Sequence, residues 1–261
     1  MSKVITPVVY TTNDYNDLVN QLTIGIDNVE IKPAELLDED KPGVCLLLNE
    51  NGLIAYVDGF KPFSVHQFYS EFIAKRRAIL SKELLLGAVG YAKLKDYNNL
   101  SVLDMTGGLG RDAILFALAG FNVTVVENNP YLTIILRYLQ ESFASILFDF
   151  RVVHGNSHQL LQTTDDNFDF IYYDPMFEDG KNALAKKDMQ LIDKFIEFSG
   201  SLNDEKLTND EILKLAFSKS HKFIVKRDNK QATIAAKPTY QKLGKTIRFD
   251  VYQGSQKLPS E

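Results

Sequence analysis

A chain of 261 residues, 45% hydrophobic and 24% charged, is long enough for one large core, or one domain with a small appendage. No apolar run reaches the ~18 residues of a membrane span, and the start MSKVITPVVYTTND lacks a signal peptide's apolar core, so a soluble protein is expected. The single cysteine, Cys45, excludes an intrachain disulfide and a cysteine-rich metal site. Its expected role is packing, and a reducing cytoplasm is the simplest compartment. The net charge of -5 argues weakly against nucleic acid, but the distribution is uneven. Residues 1–62 carry ten acids and four Lys/Arg, whereas residues 214–248 carry ten Lys/Arg and one acid, Asp228. Such asymmetry lets one face meet phosphates while the whole stays acidic, although a solvated lysine surface explains it equally well.

Residues 1–62 read as a small α+β unit. Val4–Tyr10 and Val44–Leu48 are β-rich runs, and Leu53–Val57 follows Asn51-Gly52, a strong hairpin signal. Asp14–Leu22 suits a short helix, and Asp58–Pro62 suits a junction. From His66 the apolar spacing turns helical, with a break before Val89. A βαβ series follows: strand 100–105, helix 111–119, strand 122–126, helix 131–146 led by Pro130, and strands 151–154 and 168–173. Lys187–Phe198 is expected to be helical and Lys222–Lys226 a strand, with Ala232–Ala236 and Thr246–Tyr252 as a final β pair. The fold expected is α/β: a Rossmann-like, mostly parallel sheet in residues 63–261, behind a small N-terminal subdomain.

Asp104-Met-Thr-Gly-Gly-Leu-Gly-Arg-Asp112 joins a strand to a helix. Gly107, Gly108 and Gly110 permit backbone approach and positive φ, and the helix beyond offers free N–H groups. The G-G-x-G spacing is not the G-x-G-x-x-G of dinucleotide folds. Asp104, at the strand end, is ill-suited to a phosphate but suited to the ammonium of a methionine moiety. Arg111 is placed to pair with that moiety's carboxylate or with Asp112. Glu127, 23 residues after Asp104, is placed for ribose hydroxyls. Asn156 and Ser157, after the third strand, are placed for adenine or are plain loop residues.

Asp174-Pro175-Met176-Phe177 ends the fourth strand. A carboxylate and a carbonyl beside proline can accept the hydrogens of a nucleobase amine, and an aromatic can stack on the base. The expected catalytic set is therefore Asp174, Pro175 and Phe177. Lys181, Lys186 and Lys187 can hold RNA phosphates or form a solvated helix face. Of the adjacent Arg76 and Arg77, one can meet RNA while the other packs or pairs. The four histidines are scattered, and no metal site is expected.

With VLDMTGGLGRDA, VVENNP, YYDPMF, ALAKKDM, Ile224-Val-Lys-Arg227, Arg248-Phe-Asp-Val-Tyr252 and the Arg76-Arg77 pair, the chain resembles RsmJ, the bacterial small-subunit rRNA guanine-N2 methyltransferase family. The resemblance covers about residues 66–254. It implies a class I methyltransferase using S-adenosylmethionine (SAM), and as target the N2 amine of a guanine near the 3' end of 16S rRNA, within the 30S subunit. It puts cofactor contacts on Arg111, Asp112, Glu127, Asn128, Asn156, Ser157 and Asp174; Lys226 and Arg227, in the basic stretch, are further expected RNA contacts. Asn128 departs from a familiar arginine, Asn156 from a small residue, and the segment before the third strand is shortened. The same turn also suits an adenine-N6 methyltransferase on DNA or RNA, and a non-catalytic RNA-binding assembly protein is the alternative from another class.

Overall fold

The computed structural model describes residues 6–94, 99–175, 194–195, 207–234 and 237–254. Two sheets share the chain. The first has the order β2-β1-β3-β4-β5 and the second β11-β12-β10-β9-β6-β7-β8.

The first sheet is built from β1 (Val8–Thr11), β2 (Glu30–Pro33), β3 (Val44–Asn49), β4 (Gly52–Val57) and the short β5 (Phe63–Ser64). β1 pairs parallel with both β2 and β3, while β3 and β4 form the hairpin that Asn51-Gly52 foretells. Helix α1 (Asn16–Thr23) crosses from β1 to β2 and buries Val19 and Leu22.

Helix α2 (Val65–Arg77) starts at Ser64, whose hydroxyl accepts the Gln67 amide. It is followed by α3 (Leu84–Val89), which ends at Gly90 with φ +83°. The βαβ series then runs β6 (Ser101–Asp104), α4 (Arg111–Leu118), β7 (Asn122–Glu127), α5 (Pro130–Ser142), β8 (Phe150–His154), α6 (Ser157–Thr163) and β9 (Phe170–Tyr173). The chain continues with α7 (Asn209–Lys219), β10 (Lys222–Asp228), β11 (Tyr240–Leu243) and β12 (Ile247–Gln253).

β6 to β10 are mutually parallel, and β12 returns antiparallel beside β10. Val102, Leu103, Phe170, Ile171, Phe223, Ile224 and Val225 are all 0% exposed. That two-sided burial is why these strands read as continuous apolar runs. Asn129 caps α5 by accepting the Tyr131 and Leu132 amides, and Pro130 sits where no N–H is needed.

One hydrophobic core runs through both sheets. α5 also ties them by polar bonds. The Tyr131 hydroxyl donates to Val44 O at 2.9 Å and accepts from Val8 N at 3.2 Å. The Arg137 guanidinium donates to the carbonyls of Leu22 and Ile24 at the end of α1.

The final β pair differs from the sequence expectation. The partner of β12 is Tyr240–Leu243 rather than Ala232–Ala236, of which residues 232–234 form no strand. β11 is exposed at every position, so the edge strand has no apolar alternation to reveal it, and its register is set by the turn at Gly244. α6 and α7 were not foreseen, because each is short or mostly polar. The expected helix at Lys187–Phe198 lies outside the described residues except for Lys194 and Phe195.

Candidate active site

The chain leaves β6 to build β7 and β8 on one side, then returns to build β9 and β10 on the other. The strand order therefore reverses between β6 and β9, and their carboxyl ends open on a crevice suited to a ligand. The residues arriving there are Asp104, Glu127, His154 and Asp174.

The glycine turn divides its labour. A Cβ on Gly107 would lie 2.9 Å from Val125 Cγ1, and one on Gly110 would lie 2.7 Å from Leu136 Cδ2. These two glycines let the turn pack on β7 and α5. Gly108, with φ +53°, faces open space, so it is the glycine that a ligand can approach. The buried Tyr69 of α2 donates to Leu109 O at 3.2 Å and steadies the turn from below.

Asp104 Oδ1 accepts the Thr106 amide at 2.9 Å and its hydroxyl at 3.3 Å. The same hydroxyl accepts the Asp174 amide at 2.8 Å. Thr106 thus stitches the glycine turn to the Asp174-Pro175 turn. Burial lifts the Asp104 carboxyl to about 7, against the Thr106 amide, and Asp112 and Asp174 push it the same way.

Glu127 accepts Gly108 N at 2.6 Å and Asn129 N at 2.8 Å. Burial lifts it to about 7 despite the amides of Asn129, Gly108 and Asn128. Asn128 is half-buried between Glu127 and the α5 cap.

Asp112, in the first turn of α4, accepts the Tyr172 hydroxyl at 2.6 Å and the Lys226 ammonium at 2.8 Å. Lys226 also donates to Asp174 Oδ2 at 2.8 Å. The three side chains are 20–28% exposed, so this bridge sits at the crevice wall. Burial lifts Asp174 to about 6; Lys226 holds it down and Asp112 pushes it up. Burial opposes the charge on Lys226, yet the two carboxylates keep its ammonium above the usual lysine range.

Arg111, next to Asp112 in α4, has its guanidinium over the Phe68 ring at 5.6 Å. Asn156 caps α6 by accepting the His158 and Gln159 amides at 2.7 and 3.1 Å, and Ser157 begins that helix beside it. Arg76 pairs with Glu83 at 2.8 Å and covers Phe72, while Arg77 is exposed. Arg227 donates to Ala232 O at 3.0 and 3.2 Å. Pro175 follows Asp174 at the crevice; Phe177, Lys181, Lys186 and Lys187 lie outside the described residues.

Sequence reasoning missed Thr106 and Tyr172, and it sent Lys226 to RNA rather than to the acidic bridge. Tyr172 shares its strand face with Asp174 by the two-residue period. Val225 pairs with Tyr173, which sets Lys226 beside Asp174. Both facts require the strand register, which the sequence does not print. Among the described residues, no group of three or more His, Cys, Asp or Glu could hold a metal ion, and no helix is long and apolar enough to cross a membrane.

A doubly wound sheet with a reversed last strand, a glycine turn and acidic strand ends defines a Rossmann-like class I fold built for a nucleoside cofactor. Residues 31–254 match the SAM_MT model of SAM-dependent methyltransferases, and the chain belongs to that family. Its methyl donor is accordingly SAM.

A protein of Alteromonas mediterranea named ribosomal RNA small subunit methyltransferase J is 37% identical over 178 residues, which is 66% of each chain. One of the same name from Coxiella burnetii is 33% identical over 179 residues, 65% of this chain and 66% of its own. Both alignments thus span just under two thirds of the relative's length. The crystal structure of a SAM-dependent methyltransferase from Neisseria gonorrhoeae has the same fold, with a TM-score of 0.68, 22% identity, and 94% and 95% of the two chains covered.

The crevice fits this donor. Asp104, Asp112, Glu127 and Asp174 converge there, while one ammonium, that of Lys226, bridges two of them. Burial is the main cause that raises Asp104, Glu127 and Asp174, with nearby carboxylates adding to it at Asp104 and Asp174, and a bound cation would favour their ionised forms. SAM carries a sulfonium and an ammonium.

Proposed function

We propose that this protein methylates the N2 amine of a guanine near the 3' end of 16S rRNA, on the 30S subunit in the cytoplasm. The observation that carries the proposal is the Asp174-Pro175 turn, hung from the glycine turn through Thr106 Oγ1 at 2.8 Å. It brings a base-sized acceptor pair beside the donor's turn. The names of the Alteromonas and Coxiella relatives supply the RNA and the subunit.

SAM, when bound, supplies an electrophilic methyl on a good leaving group. The amine nitrogen's lone pair is delocalised into the purine, so the chain's task is orientation and exclusion of water. In this reading Asp174 and the Pro175 carbonyl accept the amine hydrogens, and Phe177 stacks on the base. Asp104 takes the donor's ammonium, Glu127 its ribose, and Gly108 its backbone-side approach. Arg111, Asp112 and Asn128 line the methionine and ribose sides, and Asn156 and Ser157 the adenine side. Lys226 keeps Asp174 ionised and aimed. Arg77, Lys181, Lys186, Lys187 and Arg227 serve the RNA, while Arg76 is the member of its pair that packs and pairs, with Phe72 and Glu83. Residues 1–62 form the subdomain that walls one side.

The test is Asp174→Ala, which should abolish transfer to 16S rRNA while the protein still folds. Full activity of that variant would overturn the mechanism. Transfer to adenine-only oligonucleotides would redirect the reading to adenine-N6 chemistry.

A further inference from the structure

Beyond Asp174, the crevice has a basic rim whose lysines no assigned role uses. β10 runs two residues past Lys226 to Asp228, so its end stands about 7 Å above the acidic bridge. There the loop carrying Lys230 meets the turn carrying Lys245. Asn229 N donates to Thr246 O at 3.0 Å, and Asn229 Nδ2 donates to Gly244 O at 3.0 Å. The buried Arg248 binds the loop from beneath, donating to Asp228 O at 2.6 Å and Gln231 O at 2.8 Å. Its charge is matched by Asp250, which accepts from Nε at 2.8 Å and from Nη2 at 3.2 Å. Asp228 turns its Oδ1 to the Lys230 amide at 2.9 Å. Lys230, Lys242 and Lys245 are exposed, with half-buried Arg227 on the same end of the sheet.

We propose that these two cross-linked loops, 228–231 and 244–246, form a phosphate platform that seats the RNA backbone beside the target base. Fixing two lysines on hydrogen-bonded loops lowers the ordering cost of a backbone contact. Phosphate contacts of this kind set register rather than sequence. The location suits that task, since the platform flanks the strand end that carries the base-binding turn. The proposal rests on the RNA methyltransferase reading.

The experiment compares wild type with Lys230→Ala/Lys245→Ala and with a charge-reversed Lys230→Glu/Lys245→Glu. The control is Lys237→Ala, an exposed lysine at the other end of the sheet, near Thr239, which accepts Gln253 N. The readouts are affinity for a 16S rRNA 3'-terminal fragment against salt, SAM affinity, and KM for RNA. The double alanine variant should bind RNA about ten- to twentyfold more weakly at 0.15 M salt, with the log–log salt slope reduced by about 1 to 2. The reversed variant should lose more, the control nothing, and SAM affinity should stay at the wild-type value. Unchanged RNA affinity and salt slope in both doubles, with wild type methylating RNA, would overturn the platform and leave the enzyme reading standing. A wild type that neither binds nor methylates RNA would overturn both.

Discussion

Replacing Lys226 with Met keeps the aliphatic stem and removes the ammonium, leaving Asp112 and Asp174 facing each other across the gap it filled. Two charge-assisted bonds at 2.8 Å disappear. Such bonds are worth roughly 1.5–3 kcal/mol each. Because all three side chains keep some water contact, a net loss of about 2–3 kcal/mol is expected. At about 2–4 °C per kcal/mol for a chain of this size, the melting midpoint should fall by about 5–10 °C. The effect on chemistry is separate. Asp174, at about 6 with Lys226 present, is ionised at pH 7.5. Without the ammonium, burial and Asp112 both push it upward, so the acid limb of the methylation rate should move up by at least about one pH unit. Lys226→Arg should restore the limb and part of the stability. The assays are thermal unfolding and a pH–rate profile at saturating SAM and RNA. An acid limb unmoved in Lys226→Met would refute the role given to this bridge.

The pH dependence of folding carries a defined sign. Asp104 and Glu127 at about 7 and Asp174 at about 6 hold protons that the unfolded chain has already lost. Stability from these groups is full below about pH 4 and falls as pH rises to about 7. His154, lowered by burial, acts oppositely near the top of that window, one proton against three. Scanning calorimetry of the SAM-free protein should give a lower midpoint at pH 7.5 than at pH 5.5, and a rising midpoint would contradict the buried carboxyls. SAM, a cation, favours their ionised forms, so its affinity should increase with pH through about 7. Titration calorimetry at pH 6.5 in two buffers should then register proton release. The glycines should separate by role. Gly110→Ala meets Leu136 and a positive φ and should cost about 2–4 kcal/mol of stability. Gly108→Val should weaken SAM binding at least tenfold for a smaller stability cost of about 1–2 kcal/mol. Equal stability losses would show that Gly108 is a packing glycine too.

Most of the sheet was legible because its strands are buried on both faces and its helices carry start signals such as Asn129-Pro130. The motifs were legible because strand-end acids and glycines have few reasons to recur in that order. β11 was not legible, being an exposed edge whose register comes from a turn. Nor was the Lys226 bridge, since it joins residues 52 and 114 positions away. Only the β9–β10 register brings Lys226 to Asp174, and a lysine in a basic stretch reads as a surface charge. The continuity of the core between the two sheets escaped for a similar reason. It rests on apolar side chains far apart in the chain, such as Leu46, Tyr69 and Ile135, and the Tyr131 and Arg137 bonds that accompany it end on backbone carbonyls, which have no sequence signal.

The most direct test of the proposed activity is transfer from labelled SAM to 30S subunits that lack their guanine-N2 methylation, followed by nucleoside analysis of the 16S rRNA. Labelled N2-methylguanosine near the 3' end, abolished by Asp174→Ala, is the expected result. Label on any other nucleoside, or none with SAM binding intact, would contradict it.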